Sequence, residues 1–225
     1  MTFEHVNLFM QFIVLLLGLS VHESAHAWTA LRLGDQTAYM LGRVTLNPIK
    51  HIDPVGTVLL PLLALFSHFP MIGWAKPTPV NTRNFRHLVR DDILTSVAGP
   101  VSNFLLAILA TLLLLLISAS SSGDMMVQGL LRGQVADTPS PLMPVVLLLY
   151  NGLIINVLLG VFNLIPVPPL DGSHVLRHFL PDGIRQIYDR IGIFALVLLF
   201  AVGGPLLRAI FIPVVRIFTG VLIHQ

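Results

Sequence analysis

Apolar residues fall in long runs, separated by shorter stretches that carry most of the charge. The first run opens near Leu8 and closes near Leu33, predicting a helix over about residues 7–32. Gly18, His22, Ala25, His26 and Thr29 share one narrow face of it, with Leu and Val elsewhere. A small-and-polar stripe of that kind packs against other helices and not against lipid. Gly34 and Asp35 end it. A second helix is expected over 91–117, with Gly99, Asn103, Ala107 and Ala110 on one face. A third is expected over 143–165, lined by Gly152, Asn156, Gly160 and Asn163. Pro166, Pro168 and Pro169 break it, and Leu170-Asp171-Gly172 follows at once. Residues 191–223 are apolar again but interrupted at Gly203-Gly204-Pro205, and read equally as one broken helix or two short ones.

The weaker patterns lie between these runs. Tyr39-Met40-Leu41 and Val44-Thr45-Leu46 flank Gly42-Arg43, which suits a β-hairpin over 38–47 with a two-residue turn. Residues 56–69 are apolar, but as a helix they would reach only about 21 Å against a hydrocarbon core of about 30 Å. Pro61 weakens them further, so a re-entrant or half-depth segment is expected. Residues 73–81 (GWAKPTPVN) read as an extended, proline-rich piece with Trp74 as an interfacial anchor. Residues 118–141 read as a polar loop and 177–190 as a polar connector.

Composition settles the solvent. With 55% hydrophobic and 11% charged residues, the chain is expected to be an integral membrane protein: an all-α polytopic helix bundle of about four to six transmembrane segments, with the small hairpin and the re-entrant segment near its site, forming one domain over 1–225. The formal charge of +2 implies no nucleic-acid partner. The absence of cysteine leaves any metal site to His and carboxylate. No Lys or Arg precedes the first run, so it reads as a retained helix and not a signal peptide. If 56–69 does not cross, residues 32–90 hold seven Lys/Arg on one side and 177–190 add three, whereas the loop 118–141 holds only Arg132. That bias assigns the basic side to the cytoplasm. The site is then expected towards the cytoplasmic face.

The chemistry enters at His22-Glu23-Ser24-Ala25-His26. Residues four apart on a helix lie one above the other, so His22 and His26 can offer two imidazole nitrogens to one ion. Glu23 can then reach a water on that ion as general base, the HExxH arrangement of zinc proteases. With nine His and two Glu in the chain, this motif is expected by chance only roughly 0.003 times. Ionisable groups inside a membrane helix are costly and mark function, although a polar cluster that pins helix packing is the plainer reading. Catalytic zinc takes a third protein ligand. Asp171 is the leading candidate, and His174 with His178 is the rival pair. Asp35, Asp53 and Asp91 read as caps or loop acids.

HESAH in the first run, GPVSN in the second and NLIPVPPLDG closing the third together resemble the site-2 protease family of intramembrane zinc metalloproteases, over nearly the whole chain. GWAKPTPVN resembles its compact bacterial branch, which implies a bacterial inner membrane as the location. The resemblance implies that His22, His26 and Asp171 bind Zn2+, that Glu23 is the base, and that Asn103 and Asn163 help hold a transmembrane protein substrate. Relatives carry PDZ or CBS domains. The loop 118–141 and the tail after Asp171 are too short for either, and no regulatory partner is legible. A non-enzymatic zinc-binding protein or metal carrier is the alternative; it would not need Glu23 and would spread polar residues through the whole membrane depth. Because a transmembrane helix hides its backbone, a protease needs a device to open it, and the hairpin at 38–47 is expected to offer a strand edge to substrate.

Overall fold

A computed structural model of the chain describes residues 3–67, 73–134 and 140–223. The order of elements is α1 (Phe3–Leu33), α2 (Thr37–Met40), a π-turn (Pro54–Leu59) running into α3 (Leu60–Ser67), α4 (Leu88–Ser118), α5 (Ser121–Leu131), α6 (Met143–Leu164), α7 (Asp171–Arg177), α8 (Asp182–Val202) and α9 (Gly204–Ile223). Four of these, within α1, α4, α6 and α9, are long and apolar enough to cross a membrane. The three helices read from the apolar runs are present, each within a few residues of its expected limits. The C-terminal stretch is two helices that meet at Gly203, and α8 bends at Gly192.

α1, α4 and α6 pack against one another and form the frame of the site. α4 buries Asp92, Thr95, Ser96, Gly99, Asn103, Ala107, Ala110 and Leu114, a stripe that recurs every three or four residues. Its Leu105, Leu109, Leu112 and Leu116 face outward. Small and polar inside with leucine outside is the pattern of a helix solvated by lipid, where close backbone approach and hydrogen bonds hold helices together. Asn103 shows how. Its amide donates to the Gly18 carbonyl of α1 (3.2 Å) and to Asn156 Oδ1 of α6 (2.9 Å), tying the three helices at one level.

Three expectations are corrected. Residues 38–47 form no hairpin, and there is no strand among the described residues. Asp35 accepts hydrogen bonds from Thr37 N (3.1 Å) and Thr37 Oγ1 (2.5 Å), which starts the one-turn helix α2 where the first strand was expected. Beyond the turn at Gly42, the Thr45 carbonyl is taken by Ser24 Oγ and by His51 Nε2, so side chains satisfy backbone groups that a partner strand would have used. Residues 121–131 are helical and not loop, because Met126, Val127 and Leu130 bury into the core shared with α4, α6 and α9. The 177–190 connector is likewise largely helix, ending α7 and opening α8.

The apolar stretch 56–69 is a short helix as far as Ser67, and its last two residues lie outside those described. Its two flanks meet. Trp74 N donates to the Gly56 carbonyl (3.3 Å) and Thr57 Oγ1 to the Trp74 carbonyl (2.7 Å). The chain therefore leaves and returns at one level. Residues 73–81 then run extended, as expected, along α1.

Candidate metal centre

His22 and His26 lie one turn apart on the buried face of α1, and α7 brings Asp171 against them from 145 residues further along the chain. His22 Nε2 stands 3.1 Å and His26 Nε2 3.4 Å from Asp171 Oδ2, and the two Nε2 atoms are 3.1 Å apart. Tetrahedral zinc ligands at about 2.0–2.2 Å from the ion lie about 3.3–3.5 Å from each other, so these three atoms have nearly the spacing of a zinc face. Asp171 Oδ2 is buried and has no hydrogen-bond partner, which suits an atom meant for a cation. The three residues fit a zinc ion, which in catalytic sites takes three protein ligands.

Both imidazoles are aimed by α4. His22 Nδ1 donates to Asn103 Oδ1 (2.7 Å), and His26 Nδ1 donates to the Thr95 carbonyl (2.7 Å). Those bonds fix the tautomer that leaves each Nε2 lone pair free for a metal. Between the two acceptors lies Gly99. A Cβ there would stand 2.7 Å from His22 Nε2 and collide with His26 Nε2 as well, so only glycine lets α4 approach the cradle this closely. A second tie fixes α7: His178 Nε2 lies 2.7 Å from Asp92 Oδ2, one turn before Thr95 on the same α4 stripe.

Glu23 points elsewhere, as its 100° step from His22 requires. Its Oε2 accepts the Thr78 N–H (2.7 Å), and Thr78 Oγ1 donates to the Glu23 backbone carbonyl (3.0 Å). The extended segment is thus docked on the helix turn that carries the motif.

The structure brings His22, His26 and Asp171 together, with Glu23 beside the first. It does not bring His174 or His178 to them: His174 is exposed and His178 is engaged by Asp92. Asn103 is fully buried, with Oδ1 on His22 and Nδ2 on Gly18 and Asn156. Asn163 is half-buried in the last turn of α6, and its Nδ2 donates to the Leu159 carbonyl (2.9 Å). Asp35, Asp53 and Asp91 all accept nearby backbone N–H groups, as read. Thr95, Asp92, Thr78 and Arg43 were missed. Thr95 acts through its carbonyl and Thr78 partly through its N–H, and neither leaves a side-chain signal; Asp92 and Arg43 act at long range in sequence.

Three comparisons bear on this geometry. The model of the family described as Peptidase family M50 matches residues 10–202. A Bacillus subtilis (strain 168) protein named "Putative zinc metalloprotease YwhC" is 40% identical over 173 residues, covering 77% of this chain and 70% of that protein. Proteins given the same description under the name Rip2 are 29% identical over 177 residues in Mycolicibacterium smegmatis and 28% over 178 residues in Mycobacterium tuberculosis (strain H37Rv). Each Rip2 match covers 76% of this chain and 58% of the Rip2 protein, so the chain spans somewhat over half their length. No solved structure gives a significant match.

Proposed function

The chain belongs to peptidase family M50 and is a zinc metalloprotease integral to a membrane, and from that premise we propose that it hydrolyses peptide bonds of membrane-spanning proteins near the cytoplasmic face. The observation that carries the reading is the convergence of two helix-borne imidazoles and the Asp171 carboxylate on one point, with Glu23 adjacent.

In this reading His22, His26 and Asp171 hold the zinc, while Asn103 and Thr95 keep the imidazoles in the ligating tautomer. When bound there, zinc polarises a carbonyl and brings the pKa of water from about 15.7 towards 7. Glu23 takes the proton of the attacking water on its carboxylate and returns it to the leaving nitrogen. The Thr78 N–H holds one oxygen of that carboxylate and leaves the other for proton transfer. Asn103 has no polar atom left for substrate and serves as the orienting partner of His22, whereas Asn163, half-buried in the last turn of α6 before Pro166, is left to contact substrate.

Three features support depth and sidedness. His26 and His22 lie 7 and 11 residues before the end of α1 at Leu33, about 10–17 Å along the axis. Arg32, Arg86 and Arg90 lie at the ends of α1 and α4 nearest the site. The flanks of 56–69 meet, as a segment that enters and leaves on one side requires. The described residues act as one catalytic domain. Comparing membrane-derived fragments from cells carrying the wild type and Glu23→Gln tests the function: fragments with ends inside or just beside transmembrane segments should vanish in the variant, and an unchanged set would refute the reading.

A further inference from the structure

Arg43 is a buried cation outside the metal centre. It follows the turn at Gly42 (φ 66°), is 5% exposed, and reaches back under α1. One arm of its guanidinium donates to the Lys50 carbonyl (2.9 Å) and the other to the Lys76 carbonyl. It thereby joins two segments 26 residues apart. The second of these is the docked extended segment. In an extended chain, residues 76 and 78 present their backbone groups to the same side. Lys76 N donates to the His51 carbonyl (2.8 Å), the Lys76 carbonyl accepts from Arg43, and Thr78 N donates to Glu23 Oε2 (2.7 Å). Pro77 and Pro79 occupy the alternate positions and have no N–H to give. A slip of one residue would put a proline against Glu23, so the register of this segment decides whether the carboxylate has its donor.

We propose that Arg43 is a positioning residue for Glu23: by anchoring Lys76 it holds the extended segment in the register that delivers the Thr78 N–H to the Glu23 carboxylate. A buried cation is a costly way to close a turn, and the ion pairs of the described residues do not include Arg43. Burial pushes its pKa down, and the charge that offsets this is the Glu23 carboxylate. The guanidinium therefore serves the carboxylate that this reading makes the base. Its planar fork spans two carbonyls at a fixed separation, which an ammonium cannot do.

The effect on turnover rests on the reading of Glu23 as the base, so the test has a readout that does not. Zinc-loaded full-length protein in micelles is compared as wild type, Arg43→Gln, Arg43→Lys, Thr78→Pro and the Arg43→Gln/Thr78→Pro double variant. Amide hydrogen exchange of the peptide spanning 73–81 should accelerate by about tenfold or more in Arg43→Gln, less in Arg43→Lys, while the peptide around Thr95 is unchanged. Zinc content should stay at the wild-type value in all variants. Release of fragments from host membranes should fall about 10–100-fold in Arg43→Gln and no further in the double variant than in the weaker single, because both changes break the same bond. Unchanged exchange over 73–81, loss of zinc in Arg43→Gln, or losses that multiply in the double variant would each overturn the proposal. Should Glu23→Gln cleave normally, the base assignment fails while the exchange result still decides the role of Arg43.

Discussion

His22 and Glu23 are neighbours in the chain, yet their side chains are held by different parts of the molecule. His22, with His26 and Asp171, is set by the packed helices α1, α4 and α7, through Asn103, Thr95, Gly99 and the Asp92–His178 pair. Glu23 is set by the connector outside the helix frame, through Thr78, Lys76 and Arg43. The helix frame is lipid-solvated and its polar bonds have no water to compete with them; the connector is partly exposed and its bonds do. The difference teaches that metal retention and base alignment are separable properties here. Damage to one side of α1 should cost zinc, and damage to the other should cost turnover with zinc in place.

The comparison is broken most severely at Gly99. Gly99→Ala puts a methyl group among the ligating nitrogens, and overpacking of about 1–3 kcal/mol translates into about 10–100-fold weaker zinc binding. Metal titration of the purified variant checks this, and unaltered affinity would show that α4 is not the wall of the cradle. Asn103→Leu comes next. It removes the acceptor of His22 Nδ1 and should weaken zinc about 10–100-fold, with substrate binding affected only through the metal. A variant with full zinc but impaired substrate binding would instead support a substrate role for Asn103. His178→Ala leaves Asp92 buried without its partner, at about 1–3 kcal/mol, and should loosen α7 enough to speed zinc loss to a chelator several-fold.

The smallest effect sharpens the other half. Asp35 collects Thr37 N, Thr37 Oγ1, Asn81 N and Asn84 Nδ2, which joins the end of α1 to the end of the docked segment. Burial raises its carboxyl, but those donors outweigh it and hold its folded pKa below the ordinary value. A depressed acid contributes stability that is complete above its unfolded pKa of about 3.9 and is lost as pH falls through the folded one. Thermal unfolding should therefore show a loss below about pH 4 that is shallower in Asp35→Asn. An identical acid limb in both proteins would remove Asp35 from the account.

What the sequence revealed follows from range. The apolar runs placed α1, α4 and α6 because lipid demands continuous hydrophobicity, and the four-residue spacing of His22 and His26 is local helix geometry. Asp53 was legible as a cap because its partners lie two or three residues away, and Asp35 as a loop acid through Thr37, whereas its bonds to Asn81 and Asn84 leave no local signal. The hairpin failed because 38–47 is shaped by Arg43, Ser24 and His51 reaching across segments, which no alternation of residues records. His178 looked like an interfacial residue or a rival ligand because Asp92, its partner, is 86 residues away. The helix at 121–131 was hidden by its Ser, Gly and Asp, and shows only in the burial of Met126, Val127 and Leu130.

Zinc per chain measured beside fragment release, in Glu23→Gln and in Asp171→Ala, tests the separation of metal and base most directly. Glu23→Gln should hold about one zinc per chain, like the wild type, and release nothing. Asp171→Ala should lose both zinc and release. Zinc lost with Glu23, or release undiminished without its carboxylate, would contradict the account.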